Sequence, residues 1–421
     1  MRETDPLVSI VIPAHNYGRY VGQAIRSALA QRGVRVEVTV VDDGSTDRTP
    51  AVLERFGDAI RAIRLEGLGV STARNVGLAA SRGEFVLFLD ADDMLIPDRL
   101  VFPTRALQSA PDCDLVYGPW YQWDERWGTA ALAGQPGKTG DLRPHLVAGN
   151  LFPIHAVLAR RSVVVEAGGF DPALSAMADW ELWLRLARLG HRFGYVAPPL
   201  AVYRKHPGSM TSDLDGAERD VLYVVEHRLQ PDDLAGAGVD PQRAARYNMH
   251  RYLTRMALER GDEERAERYM REALRARPAA WGEVSYYHSI ARALAQSQEI
   301  RGDDRAQALV VAFLRVTNRI RAGEGPFPPA QEAARRLGLA LALHTLGAGS
   351  HALVHLWAAV RAAPAEILRR PRRLRLIALL IAPPPPSRLS GRTHPRRQGS
   401  PPTPAADLPA AVQMLLGSTE D

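Results

Sequence analysis

Cysteine is nearly absent from this chain of 421 residues. The single Cys113 excludes an internal disulfide and any multi-thiolate metal site, and it fits a reducing compartment. No apolar stretch approaches the ~18–20 residues of a membrane-spanning helix. The opening MRETDPLVSIVIPAHN has acidic residues and an apolar run that stops at Pro13, unlike a secretory leader. A cytoplasmic protein is expected. Two phosphate-binding signatures are missing as well. No Gly-x-Gly-x-x-Gly follows the first apolar run, which disfavours a dehydrogenase, and no Walker A loop occurs. What is there is ordinary globular composition, 46% hydrophobic and 24% charged. The length suits two or three domains.

The net charge of +6 is local. Nine Arg fall between Arg369 and Arg397 with no acidic residue among them, and without them the chain stands at about −3. A general nucleic-acid surface is therefore unsupported, and the basic character belongs to the C-terminal end.

Residues 1–110 alternate strand-like and helix-like segments. Val8–Pro13 and Val36–Val41 are short apolar runs, and Glu84–Leu89 is another. Between them Tyr20–Gln31 carries Val21, Ala24, Ile25, Ala28 and Leu29 at the helical period, and Val70–Ala80 reads as a helix. Such alternation implies a parallel sheet covered on both faces, with ligands beyond the carboxyl ends of its strands. Asp179–Leu189 is an amphipathic helix ending at Gly190. From about residue 214 the chain turns helical and rich in Ala, Arg and Glu. There Gly261–Pro278 and Gly347–Pro364 align without gaps, with Gly, two Ala and Pro in register. The pattern reads as the second helix of a tetratricopeptide repeat, or as two amphipathic helices of similar composition. The expected domains are 1–213, 214–368 and a basic Pro-rich tail, 369–421. Pro and Arg make that tail read as disordered. Its run LRLIALLIA, flanked by Arg, suits peripheral contact with an anionic membrane face, or a last packed helix.

Three polar clusters follow the strands. VVDDGSTD sets Asp42 and Asp43 at a strand end, where a carboxylate accepts from a base or ribose, or simply caps a turn. LDADD places Asp90, Asp92 and Asp93 together, and hard divalent cations bridging to diphosphate suit such a group. GLGVSTARNVGL leads Gly and small polar residues into a helix whose N-terminus favours anions, with Arg74 in its early turns.

Taken together these stretches, with the later GGFDPAL, DWELWLRLARLG and YRKHPGSMT, resemble family 2 glycosyltransferases of the GT-A fold. The resemblance covers roughly residues 7–212. It implies an α/β mostly parallel sheet flanked by helices, and the helical pattern after residue 214 adds an all-α region. It implies an inverting transfer of sugar from a nucleotide-diphosphate donor to an acceptor hydroxyl, with Mg2+ or Mn2+. By the same resemblance Pro13, His15, Asp43 and Arg74 hold the nucleotide; family members often carry Tyr or Phe where this chain has His15. Asp92 ligates the metal, Asp90 faces ribose or sugar and shares the metal role, and His206 meets a phosphate or completes the metal shell. Gly168 and Gly169 border the acceptor. Trp180 and Trp183 read as core, with Trp180 also placed on the acceptor side. Asp179, at the start of its helix, is the expected general base, since a helix N-terminus favours the carboxylate anion. The family commonly shows Glu-Asp there, whereas this chain has Ala178-Asp179. That departure motivates an alternative, a catalytically inactive binding or scaffold protein acting through its helical region. No Gln-x-x-Arg-Trp motif is present, which favours addition of single sugars. A saccharide or lipid-linked acceptor of envelope polysaccharide assembly is expected from the resemblance alone.

Overall fold

Every residue of the strand Leu7–Ala14 (β1) after Leu7 is buried. An apolar run with no polar face needs cover on both sides, and a parallel sheet between helix layers supplies it. The computed structural model that carries this strand describes residues 6–125, 128–134, 137–206, 208–210, 213–230, 233, 240–283, 286–287, 290, 303–323, 328–345, 349–363, 410 and 413. The run LRLIALLIA and the basic tail lie outside the described residues. Two compact units emerge, the first including residues up to Pro241 and the second beginning at Gln242.

In the first unit β1 is followed by α1 (Val21–Leu29), β2 (Arg35–Asp43), α2 (Thr49–Glu54), β3 (Arg61–Leu65), α3 (Val70–Ala80) and β4 (Phe85–Phe88). Next come β5 (Met94–Leu95), α4 (Val101–Ser109), β6 (Leu115–Tyr117), β7 (Trp120–Asp124), β8 (Thr129–Ala133) and α5 (Arg143–Leu146). The unit continues with β9 (Val157–Arg160), α6 (Arg161–Glu166), α7 (Ala178–Arg188), β10 (Phe193–Tyr195), β11 (Ala201–Lys205) and α8 (Leu214–Tyr223). The large sheet has the order β10-β6-β9-β4-β1-β2-β3. β1, β2, β3 and β4 run parallel, as do β6 and β10, while β9 runs antiparallel to both its neighbours. The mostly parallel α/β class expected from the sequence is therefore present. A second sheet, β5-β11-β7-β8, has no counterpart in the sequence reading.

Register decides where the site falls. Ala14 pairs with Asp42 and Val11 with Phe88, so His15, Asp43 and Asp90 leave the sheet at one edge. β1 lies between β2 and β4, and the strand order reverses there, the place where α/β sheets open a crevice. The core beneath is built of Ile10, Ile12, Val21, Ile25, Val40 and Leu87, all fully buried. Each such side chain contributes roughly 1.5–3 kcal/mol by leaving water. Cys113 is half-buried, with its Sγ 3.3 Å from the Leu115 carbonyl, and burial pushes its thiol pKa up.

The second unit is helical: α9 (Pro241–Glu259), α10 (Glu263–Ala276), α11 (Asp303–Ala322), α12 (Pro329–Thr345) and α13 (Gly349–Ala362). Asp262 caps α10 by accepting the Arg265 N–H at 3.0 Å. The aligned alanines of the two similar segments, Ala266 and Ala273 in one and Ala352 and Ala359 in the other, are all buried. Small side chains at the same two positions let each helix pack closely on its neighbours. Among the described residues no helix is long and apolar enough to cross a membrane.

Gly77 shows how tightly α3 lies on the sheet. A Cβ placed there would stand 2.2 Å from Val11 Cγ1. Exchanging Gly for Ala inside a helix ordinarily stabilises by about 1 kcal/mol, but overpacking a core costs about 1–3 kcal/mol. The clash wins, so Gly77→Ala is expected to lower unfolding free energy in a urea titration.

Candidate active site

The edge of the sheet is organised by side chains that bind backbone. Asn16, at φ +59°, accepts the N–H groups of Thr46 and Asp47 at 2.8 and 3.2 Å and so ties the end of β1 to the turn after β2. His15 is exposed beside it. Its Nδ1 lies 2.6 Å from the Asp43 carbonyl and therefore carries the proton, while Nε2 accepts from the Asn16 amide at 3.1 Å. The ring of this exposed residue is thus held at both nitrogens. Pro13, two residues earlier, is buried in β1.

Asp43 is buried and its two oxygens accept the N–H groups of Leu68 and Gly69, each at 2.7 Å. Gly44 is required for that approach: with φ +74°, a Cβ there would stand 2.9 Å from the Gly67 nitrogen. The carboxylate thus shapes the loop that opens α3, and its remaining lone pairs are what it can offer a ligand. Asp42 instead pairs with Arg64 and caps the turn through the Ser45 N–H.

From α3, Arg74 reaches across the crevice. It is buried, with Nη2 2.6 Å from Asp90 Oδ1 and its guanidinium 5.3 Å from the centre of the Phe170 ring. Asp90 keeps about a third of its side chain exposed. Asp92 is buried, and its Oδ2 lies 3.0 Å from His206 Nε2. The His206 Nδ1 accepts from the Gly208 N–H at 3.2 Å, so in this state the imidazole proton sits on Nε2, toward Asp92. Tyr17 also donates to Asp92, and burial together with the charges of Asp92, Asp90 and Asp93 raises its phenol pKa. The Tyr20 ring lies 4.5 Å from that of His206.

Asp93 plays a different part. It is sealed against His155 at 2.7 Å, and its Oδ1 accepts the Arg204 N–H at 2.7 Å. Burial pushes its carboxyl up to about 7 against the pull of His155. Burial lowers the His155 pKa, but Asp93 outweighs that and the net shift is upward.

A divalent cation can be weighed against two donor sets. Asp90, Asp93 and His155 bring ligand atoms within 4.8 Å of one another. Asp93 and His155 have no exposed surface and are committed to each other, so of that set only Asp90 faces the crevice. Asp92 and His206 form a second set: their 3.0 Å hydrogen-bond separation is also compatible with two adjacent ligands ~2.1 Å from an octahedral ion.

Asp179 lies at the start of α7, where it keeps part of its surface. Burial raises its pKa; Arg74, the Asn150 amide and the Trp180 N–H oppose the rise, and Asp90 adds to it. The charges of Arg74 and Asp90 both act on it, so the carboxylate expected as base lies within electrostatic range of that pair. The loop before α7 is pinned from two helices. On α3, Ser71 donates to the Leu174 carbonyl at 2.6 Å, and Asn75 binds the Phe170 N–H and carbonyl at 2.7 and 2.8 Å. On α8, the fully buried Asp220 accepts from the N–H groups of Ser175, Ala176 and Met177 at 2.8, 2.7 and 3.2 Å.

Gly168 and Gly169, at φ +89° and +69°, turn the chain so that Phe170 lies under Arg74. A Cβ at Gly169 would meet Asn75 Oδ1 at 2.4 Å. Trp180 corrects its expected place on the acceptor side. It is fully buried, with its indole N–H donated to the Leu146 carbonyl at 2.6 Å, and presents no surface to a ligand. The core reading given to Trp180 and Trp183 is the one realised; both are buried. Asn150, Tyr17 and Asp220 were absent from the sequence reading. Their contacts span 29, 75 and 45 or so positions, respectively, and no local pattern marks them.

Residues 9–163 match the model of Glycosyl transferase family 2. An uncharacterized glycosyltransferase of Nostoc sp. is 30% identical over 278 residues, covering 59% of this chain and 83% of the relative. The chain belongs to glycosyl transferase family 2. The succinoglycan biosynthesis protein ExoO of Rhizobium meliloti is 47% identical over 97 residues, 23% of this chain and 28% of that one. The chain spans 32% and 59% of the length of two further relatives, uncharacterized glycosyltransferases of Rickettsia felis and Rickettsia typhi. Among solved structures, the mannosyltransferase of Pyrobaculum calidifontis in complex with GDP-Man and Mn2+ is 18% identical, with a TM-score of 0.41, covering 87% of this chain and 89% of that chain.

The bonds of Asp220 yield a test of the loop's anchoring. Asp220→Ala strands three backbone N–H groups and is expected to lose about 3 kcal/mol or more of unfolding free energy. Asp220→Asn keeps one acceptor oxygen and is expected to lose clearly less in the same denaturation experiment.

Proposed function

We propose that this family 2 chain is an inverting glycosyltransferase that moves a sugar from a nucleoside diphosphate to an acceptor hydroxyl, with Asp179 as general base. The observation that carries the reading is that Asp179 feels the charges of both Arg74 and Asp90, which are themselves paired at 2.6 Å. A partly desolvated carboxylate with a raised pKa is a better proton acceptor than a free aspartate.

In this reading the acceptor O–H gives its proton to Asp179 as its oxygen attacks the anomeric carbon. The bond from that carbon to the diphosphate oxygen breaks on the opposite face, and the nucleoside diphosphate leaves. His15 stacks on the base, with Pro13 beneath it and Asp43 fixing the adjoining loop. Arg74 supplies fixed positive charge at the floor, held by Asp90 and Phe170. Asp92 and His206 would hold a divalent cation, with Asp90 beside them. A cation there neutralises charge on the leaving diphosphate. With Nε2 as a metal donor, His206 would carry its ring proton on Nδ1 and would no longer accept the Gly208 N–H. An imidazole in the donor set favours Mn2+ over Mg2+. The likeness to a succinoglycan biosynthesis protein supports a saccharide acceptor in polysaccharide assembly.

Incubation with UDP-glucose, UDP-N-acetylglucosamine and GDP-mannose, each with Mn2+, should release nucleoside diphosphate from at least one. No release from any broad set of such donors would favour the inactive scaffold. Asp179→Asn should fold and bind nucleotide yet lose about 10²–10⁴-fold in turnover; near-full activity removes Asp179 as base. Excess chelator should abolish turnover, and His206→Ala should weaken Mn2+ binding in a calorimetric titration with UDP present. Undiminished turnover in chelator would end the metal role.

A further inference from the structure

Asp179 is gripped from two directions. Oδ1 accepts the N–H of its neighbour Trp180 at 2.7 Å, inside the first turn of α7. Oδ2 accepts from the side-chain amide of Asn150 at 2.8 Å. The segment that carries Asn150 is anchored separately, because the buried Trp180 indole donates to the Leu146 carbonyl at 2.6 Å. Residues 146–150 are thus tied twice to one helical turn, through two consecutive side chains. Between the ties Gly149 adopts φ +147°, a conformation that L side chains rarely take. Asn150 itself is exposed. Packing does not account for an exposed amide turned back onto a half-buried carboxylate.

Resting on the reaction proposed above, we infer that Asn150 is a positioning residue for Asp179: its amide fixes the carboxylate's orientation and favours its ionised form. With one donor on each oxygen, each oxygen keeps one lone pair, and the acceptor proton has a defined landing place. The other groups acting on Asp179 are Arg74, which favours the anion, and Asp90, which opposes it. An amide suits position 150 because it donates without competing for the proton. A carboxylate there would stand about 3 Å from Asp179, and one of the two would stay protonated.

A hydrogen bond to the anion lowers a carboxyl pKa, so removing it raises the folded-state value further above the unfolded one. The stability lost by Asn150→Ala must then grow as pH rises through that range. Unfolding midpoints of the wild type and Asn150→Ala are compared at about pH 5 and about pH 8, each with and without Asp179→Asn. The expected result is a larger deficit at the higher pH that becomes independent of pH once Asp179→Asn is present. A deficit independent of pH in both backgrounds overturns the inference. This comparison needs no substrate. In turnover of UDP-glucose or GDP-mannose with Mn2+, Asn150→Ala should move the acid limb of the rate profile upward by about one pH unit. Asn150→Asp should move it further. A rate lowered equally at every pH, with the limb in place, also overturns it. Full activity of Asp179→Asn would instead sink the base assignment, a result separable from either Asn150 outcome.

Discussion

A buried guanidinium needs partners, and the whole crevice is arranged around those of Arg74. Removing a cation from water costs several kcal/mol unless charge and hydrogen bonds replace the lost hydration. Asp90 provides the charge, the Phe170 ring a polarisable face, and Asp179 a second negative group within electrostatic reach. Each of these comes from a different part of the chain. Asp90 leaves the sheet after β4, Phe170 follows the paired glycines, and Asp179 opens α7. The cation on α3 therefore acts as the point at which three separate parts of the chain are held in register.

Much of the first half of the fold was legible because its strands are short, apolar and closed by turn residues. Val36–Val41 lies inside β2, and Val70–Ala80 coincides with α3. The helix expected over Tyr20–Gln31 is α1 with frayed ends cut back to Val21–Leu29. Beyond residue 90 the reading thinned. β9 enters antiparallel between β4 and β6, and β11 pairs in parallel with β7 some 80 positions earlier. Pairings of that kind are decided by which edges are left open when the chain returns, and a single sequence does not record them.

The site divides the same way. The carboxylates were visible because several anions at strand ends demand an explanation. Their differences were not. Asp42, Asp43 and Asp93 bind Arg64, the 68–69 backbone and His155, Asp92 binds His206, and Asp90 alone, though paired with Arg74, keeps about a third of its side chain exposed. Trp180 was misplaced on the acceptor side because an indole next to the carboxylate expected as base suggests a sugar-lining surface. Only its burial and its bond to Leu146 reveal an anchor. Asn150 and Asp220 carry no motif at all; their meaning lies wholly in what the fold brings to them.

The ties between α3 and the loop before α7 all end on main-chain atoms: the Phe170 N–H and carbonyl for Asn75, and the Leu174 carbonyl for Ser71. Such bonds are indifferent to which side chains the loop bears. Side-chain identity matters instead at Asp171, whose carboxylate accepts from Tyr223 and Arg228, and at the buried Leu174, so positions 172 and 173 are where this loop can vary without losing its path.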